Sequence, residues 1–557
     1  MTRRQCLSDI AILAFLCLIS FFVGLEVVDV DLMESRNFVT AREMVAENNW
    51  LIPTMNGELR LAKPPMPTWF AALSSKLAGT SDNLAALRTP SSLAACLLIF
   101  SAYGLSWAFH RNRRLAFLTA AMLATSVLTI VVGRTGSWDI YCHAFMVSAL
   151  YALWVGLHSK AGLWPFAATG IFLGLSSMSK GPVAFYAILL PFLVAYITVF
   201  GLEKLKEHWR GLVLALTICI LFSVWWPLYI FVQHADVAKL VVHKESGAWF
   251  SRHLKPFWYY AHFLLYAGGW LVWAFAALVR PYAARRVEDK RLHAFLLLWL
   301  AAAIILLSVI PEKKDRYLLP AMIPLLCLAG IMAEGIIERF TANRDQRVDR
   351  ALVLAHTALI SILALALPLM LGYFLLKQGQ PVDWKLIAYG CAFLSAAFFL
   401  IRFQRQWQVE RVLLASITIL SLTTLAVTQY YGMLTTGYYA VLSTENKGFK
   451  RIDSRTLFRD IDAVKVYQLG EPVDMRILWD LGRRTYPWQA AEVNQRLEEG
   501  KPVAVLSKGE PLPLLPQEFR GRVSVRIVDT FDYNRKQPDW QKIYLAILQK
   551  QIGSGAQ

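Results

Sequence analysis

Five short segments of this 557-residue chain carry charged side chains of types that can do chemistry at a phosphate. The first is Asp29-Val-Asp31-Leu-Met-Glu34-Ser-Arg36, three carboxylates followed by an arginine. It reads either as a solvated helix start, since acidic residues favour helix N-termini, or as a general base held beside a phosphate-binding cation. The second is Leu61-Ala-Lys63-Pro-Pro-Met-Pro-Thr-Trp69, whose prolines fix an extended backbone and hold Lys63 in place. Lys63 is then either a snorkelling interfacial lysine or a cation aimed at a lipid phosphate. In Gly133-Arg134-Thr-Gly-Ser-Trp-Asp139, the aspartate is either a helix cap or a carboxylate that is costly on the core side of a span and therefore a functional candidate. Ser179-Lys180-Gly-Pro182 adds a lysine at a turn. Pro311-Glu-Lys313-Lys314-Asp-Arg316-Tyr317-Leu-Leu-Pro320 adds a cluster of cations of the kind that holds a bound phosphate. Asp31, Glu34 and Asp139 are the candidate bases. Lys63, Arg36, Arg134, Lys180, Lys313, Arg316 and Tyr317 are the candidate phosphate ligands.

These segments need a scaffold, and composition says what it is. The chain is 56% hydrophobic and 17% charged, against about a quarter charged in soluble proteins. Its mean hydropathy is +0.44. Together with 19 Trp and 31 Phe, this excludes disorder, a fibrous repeat and an ordinary cytosolic enzyme. The reading is a polytopic α-helical membrane protein. Apolar runs long enough to cross a hydrocarbon core roughly 30 Å thick fall near 9–28, 88–109, 115–133, 140–158, 163–178, 182–200, 212–232, 258–279, 292–310, 317–337, 351–375, 384–401 and 411–431, about thirteen spans. The first run is too long, and too poor in cleavage-site residues, for a simple signal peptide.

Orientation follows from the loops. Connections such as His110–Arg114, Glu203–Arg210, Arg280–Arg291, Glu338–Arg350 and Arg402–Arg411 are short and basic, which marks them as cytoplasmic. Most of the net charge of +18 is thus a topology signal, and no nucleic-acid partner is implied. All five chemical segments then lie on the outer side. Residues 1–431 form the membrane domain, with outer loops at 28–87 and 233–257; within the first loop, Glu34–Asn48 has the spacing of an amphipathic helix lying along the interface. Residues 432–557 read as an outer α/β domain, with β-like runs at Val464–Leu469, Val503–Leu506 and Val523–Val528 and helices at Trp488–Glu499 and Trp540–Gln551. It has no His or Cys and is expected to act as a lid or acceptor-docking module. The seven cysteines, all before residue 400 and without CxxC spacing, read as small core residues.

The outer segments carry a resemblance. Glu34-Ser-Arg36-Asn-Phe-Val-Thr-Ala-Arg42-Glu43-Met44, then Asn49-Trp50-Leu-Ile-Pro53, Asn56-Gly57 and Lys63-Pro64-Pro65, match in order and spacing the first outer loop of the ArnT-like (aminoarabinose transferase-like) glycosyltransferases. This family lies within the GT-C superfamily and is related to protein O-mannosyltransferases. Asp139, Lys180-Gly-Pro182 and Lys313…Tyr317-Leu-Leu-Pro320 also correspond, and the resemblance covers nearly the whole chain. It implies a GT-C fold and an inverting transfer of a sugar from a polyprenyl (undecaprenyl) phosphate to lipid A, a glycan or a protein. The transfer would take place on the periplasmic face of the bacterial inner membrane, in a monomer. It implies that Lys63 and nearby cations hold the donor phosphate, with carboxylates of the first two outer loops near the acceptor. Displacing phosphate from an anomeric carbon needs positive charge on the leaving group and a base on the incoming hydroxyl.

This sequence also departs from the family pattern. Met33 stands where the family has an Asp before its glutamate, Ala62 where it often has Glu, and Glu245-Ser246 where it has Glu-His, with His243 and His253 near. No metal cofactor is therefore expected, and the base is left among Glu34, Asp31 and Asp139. The competing reading is a transporter or flippase of lipid-linked sugars, which calls for inverted repeats and charges near the midplane; a non-catalytic envelope scaffold would need no such outer cluster.

Overall fold

A computed structural model describes residues 3–251, 253–434, 465–531 and 542–551. The chain divides into two compact units. One comprises Met1–Val27, Leu61–Ser74 and Asn83–Tyr431, the other Val28–Arg60, Ser75–Asp82 and Gly432–Gln557. Most of the first outer loop therefore packs with the C-terminal unit, where the sequence placed it in the membrane domain.

The first unit is helical, and the protein is a multi-pass membrane protein. Among the described residues nine helices are long and apolar enough to cross a membrane. All thirteen runs read from the sequence fall on helices. The four outside those nine are Arg3–Cys17, continued as a π-turn over Leu18–Phe22; Arg113–Ala124 with Val127–Gly133; Trp164–Lys180; and Phe185–Leu189 with Leu190–Phe200. The second of these is bent by 63°, and the residues at the break explain it. The Thr125 hydroxyl donates to Ala121 O (2.7 Å) and that of Ser126 to Leu123 O (3.0 Å), while Trp270 Nε1 donates to Thr125 Oγ1 (2.9 Å). Side-chain hydroxyls that compete for main-chain carbonyls bend helices in this way. Helix Leu319–Thr341 is the axis of the unit. A Cβ at its Gly330 would lie 2.3 Å from Thr119 Oγ1, and one at Gly335 2.2 Å from Arg286 O, so glycine lets neighbouring backbones approach.

Ion pairs gather the basic connections at one end. Arg114 bonds Glu334 (2.7 Å) and Glu410 (3.2 Å). Arg286 and Arg339 both meet Asp349, and Arg291 donates to Val199 O (2.9 Å). Asp9, 4% exposed, is held by Arg113 and Tyr103. Asp139 begins the helix that follows the bent pair, so it lies at the other end.

The second unit is an α/β sheet in the order β4-β3-β5-β7-β6, with β3 Val466–Leu469, β4 Thr485–Pro487, β5 Val503–Lys508, β6 Val523–Phe531 and β7 Ile543–Lys550. Strands β4, β3 and β5 are parallel; β7 pairs antiparallel with β5 and β6. Helices Met475–Leu481 and Ala490–Glu498 make the two crossovers. Tyr467, Leu469, Val493, Leu497, Val505, Phe519 and Leu548 form its core. The helix expected over 540–551 is strand β7 over its described part. Its residues Tyr544–Leu548 are all buried because β7 is an interior strand, and such continuous apolar runs carry no period to separate strand from helix.

Helix Leu32–Glu47 packs against protein: nine of its residues are buried, and it contacts helix Met475–Leu481. Phe38 tilts against Trp479 (5.4 Å between centroids), and Arg42 Nη2 donates to Leu478 O (3.0 Å), satisfying a carbonyl that the helix end leaves open. The hairpin of β1 (Thr54–Met55) and β2 (Glu58–Leu59) turns on Asn56-Gly57, both at positive φ (55° and 80°), the pairing that two-residue hairpins favour. Glu43 accepts from Thr54 Oγ1 (2.8 Å) and Gly57 N (3.1 Å), and Asn56 Oδ1 accepts from Thr485 N (2.9 Å). The helix is amphipathic, as its spacing says, but its apolar partner is protein some 430 residues away in sequence.

Candidate active site

The site is assembled at the Asp139 end of the helical unit. Helix Trp138–His158 starts at Trp138 with Ser137 as its N-cap residue, so Asp139 lies in the first turn, where the helix dipole favours a carboxylate. It is not the cap. Asp139 is 1% exposed and its Oδ1 takes a hydrogen bond from Lys180 Nζ. Lys180 ends helix Trp164–Lys180, which Gly181 stops at φ +70°, a conformation that suits glycine after a helix. Arg316 brings its Nε to 3.5 Å from Asp139 Oδ2.

Tyr317 joins these groups. Lys180 Nζ lies 4.8 Å from its ring centroid, Arg316 5.8 Å and Lys314 5.9 Å. Lys314 pairs with Glu312 (3.1 Å) and its main chain is clasped by the Tyr260 hydroxyl, which donates to Lys314 O (3.2 Å) and accepts from Lys314 N (3.3 Å). Two cations thus face one buried carboxylate while three surround one ring. A buried site with cations in excess favours an anion.

Of the sequence candidates, then, Asp139, Lys180, Arg316 and Tyr317 come together. Lys313 is adjacent in the chain but points elsewhere. It is 3% exposed, and its ammonium donates to Ile310 O (2.7 Å) and Lys255 O (3.2 Å), stitching 253–255 to 310–314. Burial holds its pKa below the ordinary lysine value. Arg134 likewise donates to main-chain carbonyls, those of Val23 (2.5 Å), Gly24 (3.0 Å) and Ser20 (3.3 Å) at the end of the first helix. Burial first, and Arg88 second, lower its pKa to about 10. Lys63 stands half-buried just before helix Met66–Leu77, whose start is fixed by Trp69 N bonding Pro65 O (2.8 Å).

Asp31, Glu34 and Arg36 belong to the second unit. Asp31 Oδ1 accepts from Met33 N (2.6 Å) and Glu34 N (2.7 Å), and Glu34 Oε2 accepts from Asp31 N (3.3 Å). That is a reciprocal capping box, the helix-start reading of the acidic run. Glu34 is 1% exposed, and Arg36 is half-buried.

Sequence reasoning did not single out Arg88 or His143. Arg88, 1% exposed, donates to Leu25 O (2.6 Å) beside Arg134. Its signal was an arginine inside an apolar 27-residue helix. His143 is buried one turn after Asp139, its Nδ1 3.6 Å from Cys142 Sγ. Nothing gathers as a metal site: among the described residues no three or more His, Cys, Asp or Glu side chains are placed to hold an ion.

Comparison with known proteins gives this arrangement a class. Residues 62–226 match the family model described as dolichyl-phosphate-mannose-protein mannosyltransferase. The whole chain superposes on the crystal structure of ArnT from Cupriavidus metallidurans bound to undecaprenyl phosphate with a TM-score of 0.69, at 16% identity and over 98% of each chain. On the apo structure of that protein the TM-score is 0.66, at 16% identity over 97% of this chain and 98% of that one. The fold is therefore the GT-C fold.

Within that fold the chain is similar to ArnT proteins and, over residues 62–226, to the protein O-mannosyltransferases. It is 28% identical over 366 residues to the undecaprenyl phosphate-alpha-4-amino-4-deoxy-L-arabinose arabinosyl transferase of Pseudomonas savastanoi pv. phaseolicola, covering 64% of this chain and 65% of that protein. To the protein of the same name in Pectobacterium atrosepticum it is 27% identical over 312 residues, 54% and 55% of the two chains. The chain spans less than two thirds of the length of the curated relatives it matches.

Proposed function

We propose that the protein is an integral-membrane inverting glycosyltransferase that moves a sugar from a polyprenyl (undecaprenyl) phosphate donor to an acceptor on lipid A, a glycan or a protein. The observation that carries this reading is the buried Asp139 facing both Lys180 and Arg316, with Tyr317 among the same cations. An arriving donor phosphate competes with Asp139 for these cations. As they shift toward the phosphate they stabilise the charge that grows on it while the C1–O bond breaks. The carboxylate they leave is freed to take the proton of an acceptor hydroxyl, whose oxygen forms the new bond to C1 from the opposite face. Polyprenyl phosphate departs with the electron pair of the broken bond.

Lys63 supplies a further cation for the phosphate. Asp31 and Glu34 are bound up in their capping box, which favours Asp139 as the base. We assign no metal to the reaction, because Asp139 faces ammonium and guanidinium groups where a divalent ion would need further oxygen ligands. The site lies opposite the Arg- and Lys-rich connections, which supports a periplasmic site in a bacterial inner membrane; the protein acts there as a monomer in this reading. Charges concentrated at the two ends of the bundle do not suit a transporter with a midplane site.

The test is transfer from a purified polyprenyl-linked sugar by the full chain. Lys63→Ala and Asp139→Asn each abolish transfer while the protein stays folded in detergent, and a chelator leaves the wild-type rate unchanged. Full transfer by both variants would overturn the assignment. Mass spectrometry of envelope lipids and glycoproteins from a deletion strain identifies the acceptor.

A further inference from the structure

At the end of the bundle away from Asp139, helices Trp384–Arg405 and Val409–Gln429 form a hairpin whose outer face holds a groove of about 420 Å³. Phe399, Phe403 and Leu414 line its apolar length, and the small Ala415 leaves it deep. Phe399 and Leu414 are 46% and 43% exposed, so the groove opens to lipid. Its mouth is cationic. Arg411 lines it with its guanidinium 5.6 Å from the Phe403 ring, bonded to the neutral Gln408 Oε1 (2.8 Å). Arg402, one turn beyond Phe399 on the same helix, is also exposed. Among the described residues neither arginine is paired with a carboxylate. The nearest acid in sequence, Glu410, is bonded to Arg114.

An apolar furrow lined at its end by Arg411, with Arg402 exposed one turn beyond Phe399, has the chemistry of an anionic phospholipid: chain below, phosphodiester above. We propose that this groove is a binding site for one anionic phospholipid, with an acyl chain along Phe399, Phe403 and Leu414 and its phosphate paired with Arg411 and Arg402. Basic pockets between membrane helices near the interface select such headgroups, and guanidinium groups match phosphate geometry. The site is separate from the Asp139 cluster and does not depend on the transferase reading.

The full chain, purified in a mild non-ionic detergent, is equilibrated with equal amounts of phosphatidylglycerol and phosphatidylcholine of matched chains, and retained adducts are counted by native mass spectrometry. The wild type retains phosphatidylglycerol in several-fold excess. R402Q/R411Q brings the two lipids to parity, R402K/R411K keeps the excess, and A415F, which fills the groove with both arginines present, lowers phosphatidylglycerol retention on its own. Either the double glutamine variant or A415F suffices as the test. Parity in the wild type, an unchanged excess in R402Q/R411Q or A415F, or complete displacement of phosphatidylglycerol by inorganic phosphate overturns the proposal.

Discussion

Two aspartates at opposite ends of the helical unit show how burial and pairing differ from availability. Asp349 is 0% exposed and Asp139 1%, and each faces two cations. Asp349 accepts from Arg286 Nε (2.5 Å), Tyr282 Oη (2.8 Å), Gln346 N (2.9 Å) and Arg339 Nε (3.2 Å), so its lone pairs are filled. Asp139 has one ammonium hydrogen bond and a guanidinium at 3.5 Å. The first acid is a rivet between two connections. The second keeps acceptor capacity while sharing its cations with a ring, as a group does that must exchange partners during a reaction.

Asparagine at each position should separate them most sharply. Asp139→Asn removes the base and lowers transfer by about 10²–10⁴-fold, over and above the stability lost by leaving the buried Lys180 without its anion. Asp349→Asn leaves Arg286 and Arg339 without their anion, costs about 3–5 kcal/mol of stability, and leaves transfer per folded molecule near wild type. Transfer assays and melting curves on both proteins check this, and an unstable but active D139N would reverse the two roles. Next in size is Lys180→Gln, which removes one charge-assisted bond of about 1.5–3 kcal/mol and should weaken use of the donor by about 10- to 100-fold. Its effect should fall on KM for the lipid-linked sugar as well as on kcat, and rescue by Lys180→Arg should be partial.

What sequence makes legible follows from what a local pattern can encode. An apolar run of some twenty residues has few fates, so the membrane helices stood out one by one, broken helix included. Asp139, Lys180 and Arg316 were also visible, because ionisable groups at helix ends on one side of a membrane are expensive and few. Partner identity was not visible. A cation beside a phosphate and one beside a helix's open carbonyls look alike in sequence, which is why Arg134 and Lys313 read as phosphate ligands although their hydrogen bonds go to main-chain oxygens. The partners of helix Leu32–Glu47 and strand β7 are hidden in sequence for a related reason. The apolar faces of the two elements were correctly seen, but what covers them, helix Met475–Leu481 in one case and strands β5 and β6 in the other, is a tertiary fact.

Arg134 offers the next test. Arg134→Ala strips the donor from three carbonyls at the end of the first helix and should cost about 1.5–3 kcal/mol, while transfer per folded molecule and KM for the donor stay near wild type. A selective rise in KM would return Arg134 to the phosphate.

The smallest expected effect decides the most about chemistry. Asp31 caps helix Leu32–Glu47 through Met33 N and Glu34 N, and asparagine caps as well as aspartate. Asp31→Ala should therefore cost about 0.5–2 kcal/mol, and Asp31→Asn almost nothing. A base is different: an amide cannot take the proton, so a catalytic Asp31 would lose transfer in both variants, and as heavily as D139N. Stability rescued by asparagine together with near-wild-type transfer assigns Asp31 to the helix and leaves proton removal to Asp139 or Glu34. Loss of transfer in a stable D31N would move the base into the second unit.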